Sequence, residues 1–216
     1  MEGRFHENDY NTEKMLYITA SVTLVSLFAL FSFVFPPHVL DFDSAIIVID
    51  PGHGGIDGGT NKDGLLEKDV NLVIAKKLKA LMEKKGYTVI MTREEDISLD
   101  SLDDSNGSKH QRDLNARANI INNSNARLFL SIHVDCNLKK PDTNGSIVFY
   151  NDKFPQSKAL AYCIQRALNS VIANGKNRMT HDPQQADFFI LRNSEIPGVI
   201  IEVYFQCGRK AIARKR

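Results

Sequence analysis

Along most of this chain the apolar residues gather in short unbroken runs, and between the runs they recur at helical spacing. Ile46-Ile-Val-Ile49, Leu128-Phe-Leu-Ser-Ile-His133, Gly145–Tyr150 and Val199–Glu202 show the pattern of strands buried on both faces. Tyr87–Thr92 reads as a further strand and Phe188–Leu191 as a short one. From Glu67 to Lys85, Val70, Ile74, Leu78, Leu81 and Met82 fall on one face with lysines opposite, which predicts an amphipathic helix closed by Gly86. Leu114–Asn122 and Gln156–Ala173 are also expected to be helical. Glu94–Asp113 is polar and rich in Asp and Ser, a long loop of a length that compact domains usually reserve for function. Strands alternating with helices predict a single α/β domain of three layers, with helices on both faces of a mixed sheet.

The N-terminal segment follows another pattern. Between Met15 and Pro37 no residue is charged, and Leu16–Phe35 is apolar on every side rather than on one face. A bilayer core takes about 20 apolar residues as helix. A buried core helix and a cleaved signal peptide are the competing readings. The stretch has no apolar stripe, and Phe33-Val-Phe-Pro-Pro37 has no small-x-small cleavage site, so an uncleaved signal anchor over residues 15–36 is expected. Arg4 and Lys14 precede the run and no further Lys or Arg occurs until Lys62, which places residues 1–14 as a cytoplasmic tail. Pro36-Pro37 ends the helix. A linker over 37–45 then holds a domain spanning 46–205 close to the outer membrane face, as an extracytoplasmic, single-pass protein of the cell membrane.

Composition narrows the function classes. The 216 residues carry a formal charge of +1, so no basic field points to nucleic acid. Three cysteines, Cys136, Cys163 and Cys207, stand too irregularly for a disulfide framework and form no CxxC pair for a structural zinc.

The candidate chemistry lies at strand ends. His53 follows the first strand within Asp50-Pro-Gly-His-Gly-Gly55, His133 ends another, and Glu202 follows Val199-Ile-Ile201. In open α/β sheets, sites gather at the carboxyl ends of strands. Any one of these residues alone could be a hydrogen-bonded turn or core residue, but the three together are hard to explain by packing. Glu67 stands in the first helical turn, where a carboxylate also favours the macrodipole, and one short loop after His53 it can converge on the same point. Two imidazoles and a carboxylate form a catalytic zinc set with a fourth position open, and a second carboxylate can move protons. No HExxH occurs, so this is not a helix-borne zincin.

Four segments in order, Asp50–Gly55, Gly64-Leu-Leu-Glu-Lys-Asp69, Ser131-Ile-His133 and Pro197-Gly-Val-Ile-Ile-Glu202, resemble the zinc-dependent N-acetylmuramoyl-L-alanine amidases. The resemblance runs from about Ala45 to Phe205 and is nearest to the germination-specific, spore-cortex branch (CwlD type), which also carries one N-terminal anchor. It implies a mostly parallel six-stranded sheet flanked by helices. It implies zinc held by His53, Glu67 and His133, with Glu202 as the catalytic glutamate. The substrate implied is peptidoglycan, cut at the amide between N-acetylmuramic acid and L-alanine. In the spore branch the stripped muramic acid passes to a deacetylase, a functional partner, and closes to muramic δ-lactam. Arg117 matches an arginine of the family and is expected to be structural. After Glu202 the family's Gly-Phe-x-Ser-Asn gives way to Val203-Tyr-Phe-Gln-Cys-Gly208, and residues 206–216 read as an atypical, truncated basic tail. Alternative functions are an inactive membrane-tethered wall-binding relative and a vegetative wall amidase.

Overall fold

The computed structural model describes residues 45–62, 64–134, 145–173 and 176–204. The expected tail 1–14, anchor 15–36, the linker before Ala45 and the basic tail 206–216 lie outside the described residues. Among the described residues, no helix is long and apolar enough to cross a membrane.

In chain order the elements are β1 (Ile46–Pro51), β2 (Asn61–Lys62), β3 (Leu65–Leu66), α1 (Glu67–Glu83), β4 (Thr88–Met91), α2 (Lys109–Asn122), β5 (Leu128–His133) and β6 (Gly145–Tyr150). They continue with α3 (Pro155–Asn169), β7 (Ile172–Ala173), β8 (Lys176–Asn177), β9 (Gln184–Gln185), α4 (Phe189–Asn193) and β10 (Gly198–Tyr204). Six strands form one mixed sheet in the order β4-β1-β5-β10-β6-β9. Only the β10–β6 pairing is antiparallel; the others in this sheet are parallel. The expected mostly parallel, six-stranded sheet is therefore present.

Burial on both faces explains why the central strands read as continuous apolar runs. Ile47, Ile49, Leu130, Ile132, Val199 and Ile201 pack on one face under Val70, Ile74 and Leu78 of α1 and Leu160, Ile164 and Leu168 of α3. Val48, Phe129 and Ile200 turn to the other face, under Ala118 and Ile121 of α2 and Ile190 and Leu191 of α4. Full burial of a side chain such as Phe129 contributes about 1.5–3 kcal/mol, and a strand with two covered faces gains that at every position.

Four elements differ from the sequence expectation. Phe188–Leu191 is not a strand: Phe189–Asn193 is a single helical turn that buries Ile190 and Leu191. The neighbouring strand is instead Gln184–Gln185, a polar edge pair hydrogen-bonded to Phe149 and Tyr150. Helix α2 starts at Lys109 rather than Leu114, because the Ser108 side chain accepts the Gln111 N–H and caps it. Helix α3 ends at Asn169, and the residues after it turn into the β7–β8 hairpin. The long polar loop is tied down rather than loose. Asp113 accepts the Leu99 N–H, and Arg112 donates to the carbonyls of Asp100 and Gly107.

Candidate metal centre and its cleft

The glycine loop after β1 is held from beneath by two arginines, each 2% exposed. Arg93 Nε donates to the Pro51 carbonyl at 3.0 Å and its Nη2 to the Gly52 carbonyl at 3.0 Å. Arg117 Nη1 donates to the Pro51 carbonyl at 2.8 Å and its Nη2 to the His53 carbonyl at 2.7 Å. Three successive carbonyls thus accept from guanidinium groups. The charges are balanced by Asp113, 2.6 Å from Arg117 Nε, and by Asp50, 2.7 Å from Arg117 Nη1. Burial disfavours a charge on Asp50, but Arg117 and the hydroxyls of Thr92 and Ser131 outweigh it and hold the carboxyl below its ordinary range. Arg117 is structural, as expected, and its place under His53 explains why an arginine is needed.

That support matters because His53 has φ +59°. A non-glycine residue in the left-handed region costs on the order of 1 kcal/mol, and it persists where the surroundings over-determine it. The conformation turns the imidazole back over the strand ends. Glu67, the first residue of α1, reaches the same point, and His133 arrives from the end of β5. His53 Nε2 and His133 Nδ1 each lie 3.1 Å from the Glu67 Oε1 atom. One ligand atom from each of His53, Glu67 and His133 can be chosen so that all three lie within 4.8 Å of one another. The other carboxylate oxygen of Glu67 accepts the Thr60 N–H at 2.9 Å, which leaves Oε1 facing the histidines. Two glycines make the approach possible. A Cβ on Gly52 would lie 2.2 Å from His133 Cε1, and one on Gly59 (φ +65°) would lie 2.6 Å from Glu67 and 2.8 Å from His53.

The donor set fits a divalent cation. Two imidazole nitrogens and a carboxylate oxygen aimed at one point present lone pairs to each other, and only protons or a metal relieve that. Without a metal, burial opposes the charge on His53. Its hydrogen bond to Glu67 and that carboxylate's charge, followed by those of Asp57, outweigh burial and raise the imidazole to about 9. Burial likewise opposes ionisation of Glu67, but His133 and His53 push it far down. Two imidazoles with one carboxylate suit a borderline-soft ion of the zinc type.

Glu202 lies on β10 in direct register with His133 on β5. It lines a cleft of about 310 Å³ together with His53, His133, Asp50 and Asp57. The opposite walls are Leu114 and His110 of α2 and Phe188, Phe189 and Ile190 at α4. All four residues expected from the sequence therefore come together, three as a cluster and Glu202 in the cleft beside it. Sequence reasoning missed Asp57, Thr60, Asn71 and Arg93. Asp57, four residues after His53 in a glycine-flanked loop, was the one with a readable signal.

Comparisons with known proteins place the chain in a family. Residues 47–213 match the family described as N-acetylmuramoyl-L-alanine amidase. The chain is 32% identical over 202 residues to the germination-specific N-acetylmuramoyl-L-alanine amidase of Bacillus subtilis (strain 168), a match covering 89% of this chain and 83% of that protein. Among solved structures, the CwlD amidase from Clostridioides difficile in complex with the GerS lipoprotein is 36% identical, with a TM-score of 0.64 over 78% of this chain and 86% of that one. The N-acetylmuramoyl-L-alanine amidase AmiC2 of Nostoc punctiforme is 32% identical, with a TM-score of 0.58 over 79% and 87%.

Proposed function

This chain belongs to the N-acetylmuramoyl-L-alanine amidase family, and from that premise we propose a zinc-dependent enzyme of spore-cortex maturation. The bond cut is the amide joining N-acetylmuramic acid to L-alanine in peptidoglycan. One observation carries the zinc reading: ligand atoms of His53, Glu67 and His133 converge within 4.8 Å of one another at a cleft that Glu202 also lines.

In this reading His53, Glu67 and His133 would hold zinc, which would supply Lewis-acid polarisation and a water of near-neutral pKa. Glu202 takes the proton of the attacking water and returns it to the departing L-alanine nitrogen. Its register on β10 sets its backbone beside His133 on β5. Thr60 and Asn71 orient Glu67, and Arg93 and Arg117 fix the loop that carries His53. Leu114, Phe188 and Phe189 give the cleft apolar lining, beside which charge interactions are stronger than in open water. An inactive wall-binding role is less well supported, because every group the chemistry needs is present and convergent.

The spore-cortex role is supported by the length of the Bacillus subtilis match. It covers more of this chain than residues 47–213 do, so it takes in sequence outside the family model. We also infer that the apolar N-terminal run anchors the enzyme in the membrane with its cleft extracytoplasmic. A lipoprotein of the kind seen with the Clostridioides difficile structure is a candidate partner there. A muramic acid deacetylase then acts on the stripped glycan on the route to muramic δ-lactam.

The test is digestion of purified cortex peptidoglycan by the full-length chain, followed by mass spectrometry of the products. Peptides with a free L-alanine amino terminus and glycan without side chains are expected. Their yield should disappear on chelation and return with zinc. Folded, zinc-loaded protein that leaves every peptide attached would refute the reading. Deleting the gene in its host should abolish muramic δ-lactam in the cortex, whereas unchanged lactam with a defect in cell separation would point to the vegetative wall.

A further inference from the structure

We propose that Asp57 is a positioning residue that fixes His53 in one tautomer, with its proton on Nδ1 and its Nε2 lone pair free for the metal. The inference rests on the metal reading above and goes beyond it. Asp57 Oδ2 lies 2.8 Å from His53 Nδ1, on the far side of the ring from the nitrogen that faces Glu67. Asp57 therefore cannot also reach the metal point, and its contact with the site runs through the imidazole.

The carboxylate is itself held in place. Gly54 and Asp57 exchange reciprocal backbone hydrogen bonds of 3.0 and 3.1 Å, closing the loop into a small ring. Its second oxygen accepts the Gly59 N–H at 3.1 Å. One oxygen thus belongs to the backbone and the other to the histidine. With a side chain that is 44% exposed, Asp57 contributes little as a bare charge. Its effect lies in ring orientation and in selecting which nitrogen carries the proton. A carboxylate bound to the outer N–H of a ligating histidine raises the basicity of the inner nitrogen.

With the nitrogens that face Glu67 as the ligands of a bound metal, the two histidines are opposite tautomers. His133 offers Nδ1 to the same point where His53 offers Nε2. A neutral imidazole carries one proton, so His133 must hold its proton on Nε2 while His53 holds its own on Nδ1.

The experiment uses the full-length chain, labelled with ring-15N histidine and loaded with zinc. Long-range 1H–15N spectra report which ring nitrogen is protonated, and competition against a chromophoric chelator reports affinity. In the parent protein His53 should show a protected Nδ1–H and His133 an Nε2–H. Asp57→Ala should lose the protected His53 signal and weaken zinc binding by about 10–100-fold, while the metal-free protein stays folded. Asp57→Asn keeps an acceptor oxygen, so it should retain the Nδ1–H signal and recover part of the affinity. Should the alanine variant fail to fold, the asparagine variant decides. Parental zinc affinity in it, or loss of the Nδ1–H while it stays folded, overturns the proposal. Parental affinity in folded Asp57→Ala does the same. A parent protein that binds zinc with His53 protonated on Nε2 overturns this inference alone, and a parent that binds no zinc overturns the metal reading with it.

Discussion

Arg117→Ala tests whether the charges buried beneath the loop hold it in shape. The Arg117 side chain is 3% exposed and makes contacts of 2.6–2.8 Å to Asp113, Asp50 and the carbonyls of Pro51 and His53. Without it, Asp50 stays buried with two hydroxyls and the more distant charge of Arg93, and the His53 carbonyl loses its arginine donor. Removing one partner of a buried ion pair costs about 3–5 kcal/mol. Arg93 still reaches Pro51, and its own pKa is pushed down to about 10 by burial and then by Arg117, so the substitution also relieves some repulsion. The lower end, about 3 kcal/mol, is therefore expected. For a domain of this size that lowers Tm by about 6–12 °C.

The pH dependence supplies a second signature of the same pair. The folded pKa of Asp50 is depressed, so its contribution is present above the unfolded value of about 3.9 and is lost as pH falls through the folded one. The deficit of Arg117→Ala should thus be largest near neutrality and shrink in acid. Pairing Arg117→Met with Asp50→Asn removes both charges and should cost less than Arg117→Ala alone. Denaturant titrations of the full chain at several pH values measure all of this. A neutral-pH loss for Arg117→Ala below about 1 kcal/mol, the range of exposed pairs, would refute the assignment of this pair as the support of the loop.

Three further outcomes test the site. Glu202→Gln should keep the fold and the zinc while turnover falls about 10²–10⁴-fold; loss of zinc in elemental analysis would instead make Glu202 a ligand. Gly52→Ala puts a Cβ 2.2 Å from the His133 ring while Arg93 and Asn71 hold the Gly52 carbonyl, so the ring must swing away. Zinc affinity should then drop by about tenfold or more, and unchanged binding in a chelator competition would count against His133 as a ligand. Metal-free His53 is raised to about 9, so its charged form stabilises the apo fold fully below about pH 6.5 and that contribution fades as pH rises through 9. Zinc must displace that proton, so its apparent affinity should climb between pH 7 and 9 with proton release in calorimetry. A flat profile contradicts the pairing.

The buried strands were legible because a sheet covered on both faces leaves an uninterrupted apolar signature; β5 and β6 carry the expected boundaries. Phe188–Leu191 was not legible for the complementary reason. A short apolar run has the same composition in a buried turn of helix as in a strand. The true edge strand, Gln184–Gln185, is polar and two residues long. At the site, residues brought by strand ends could be read, since topology alone assembles His53, His133 and Glu202. Asp57 and Thr60 act through hydrogen bonds that depend on how the loop closes, which no periodicity encodes, whereas Asn71 stands one helical turn after Glu67.

The sheet order also sets when the molecule can exist. β10, last of the described strands in the chain, sits between β5 and β6 and is the only strand that joins β4-β1-β5 to β6-β9. Until it is made, the sheet is two unpaired halves with open inner edges, and no stepwise native intermediate spans them. Glu202 arrives on that same strand. Until β10 is available, the two halves of the described sheet cannot pair with each other. The strand that joins the two halves of the sheet is thus the same one that brings Glu202 beside His133.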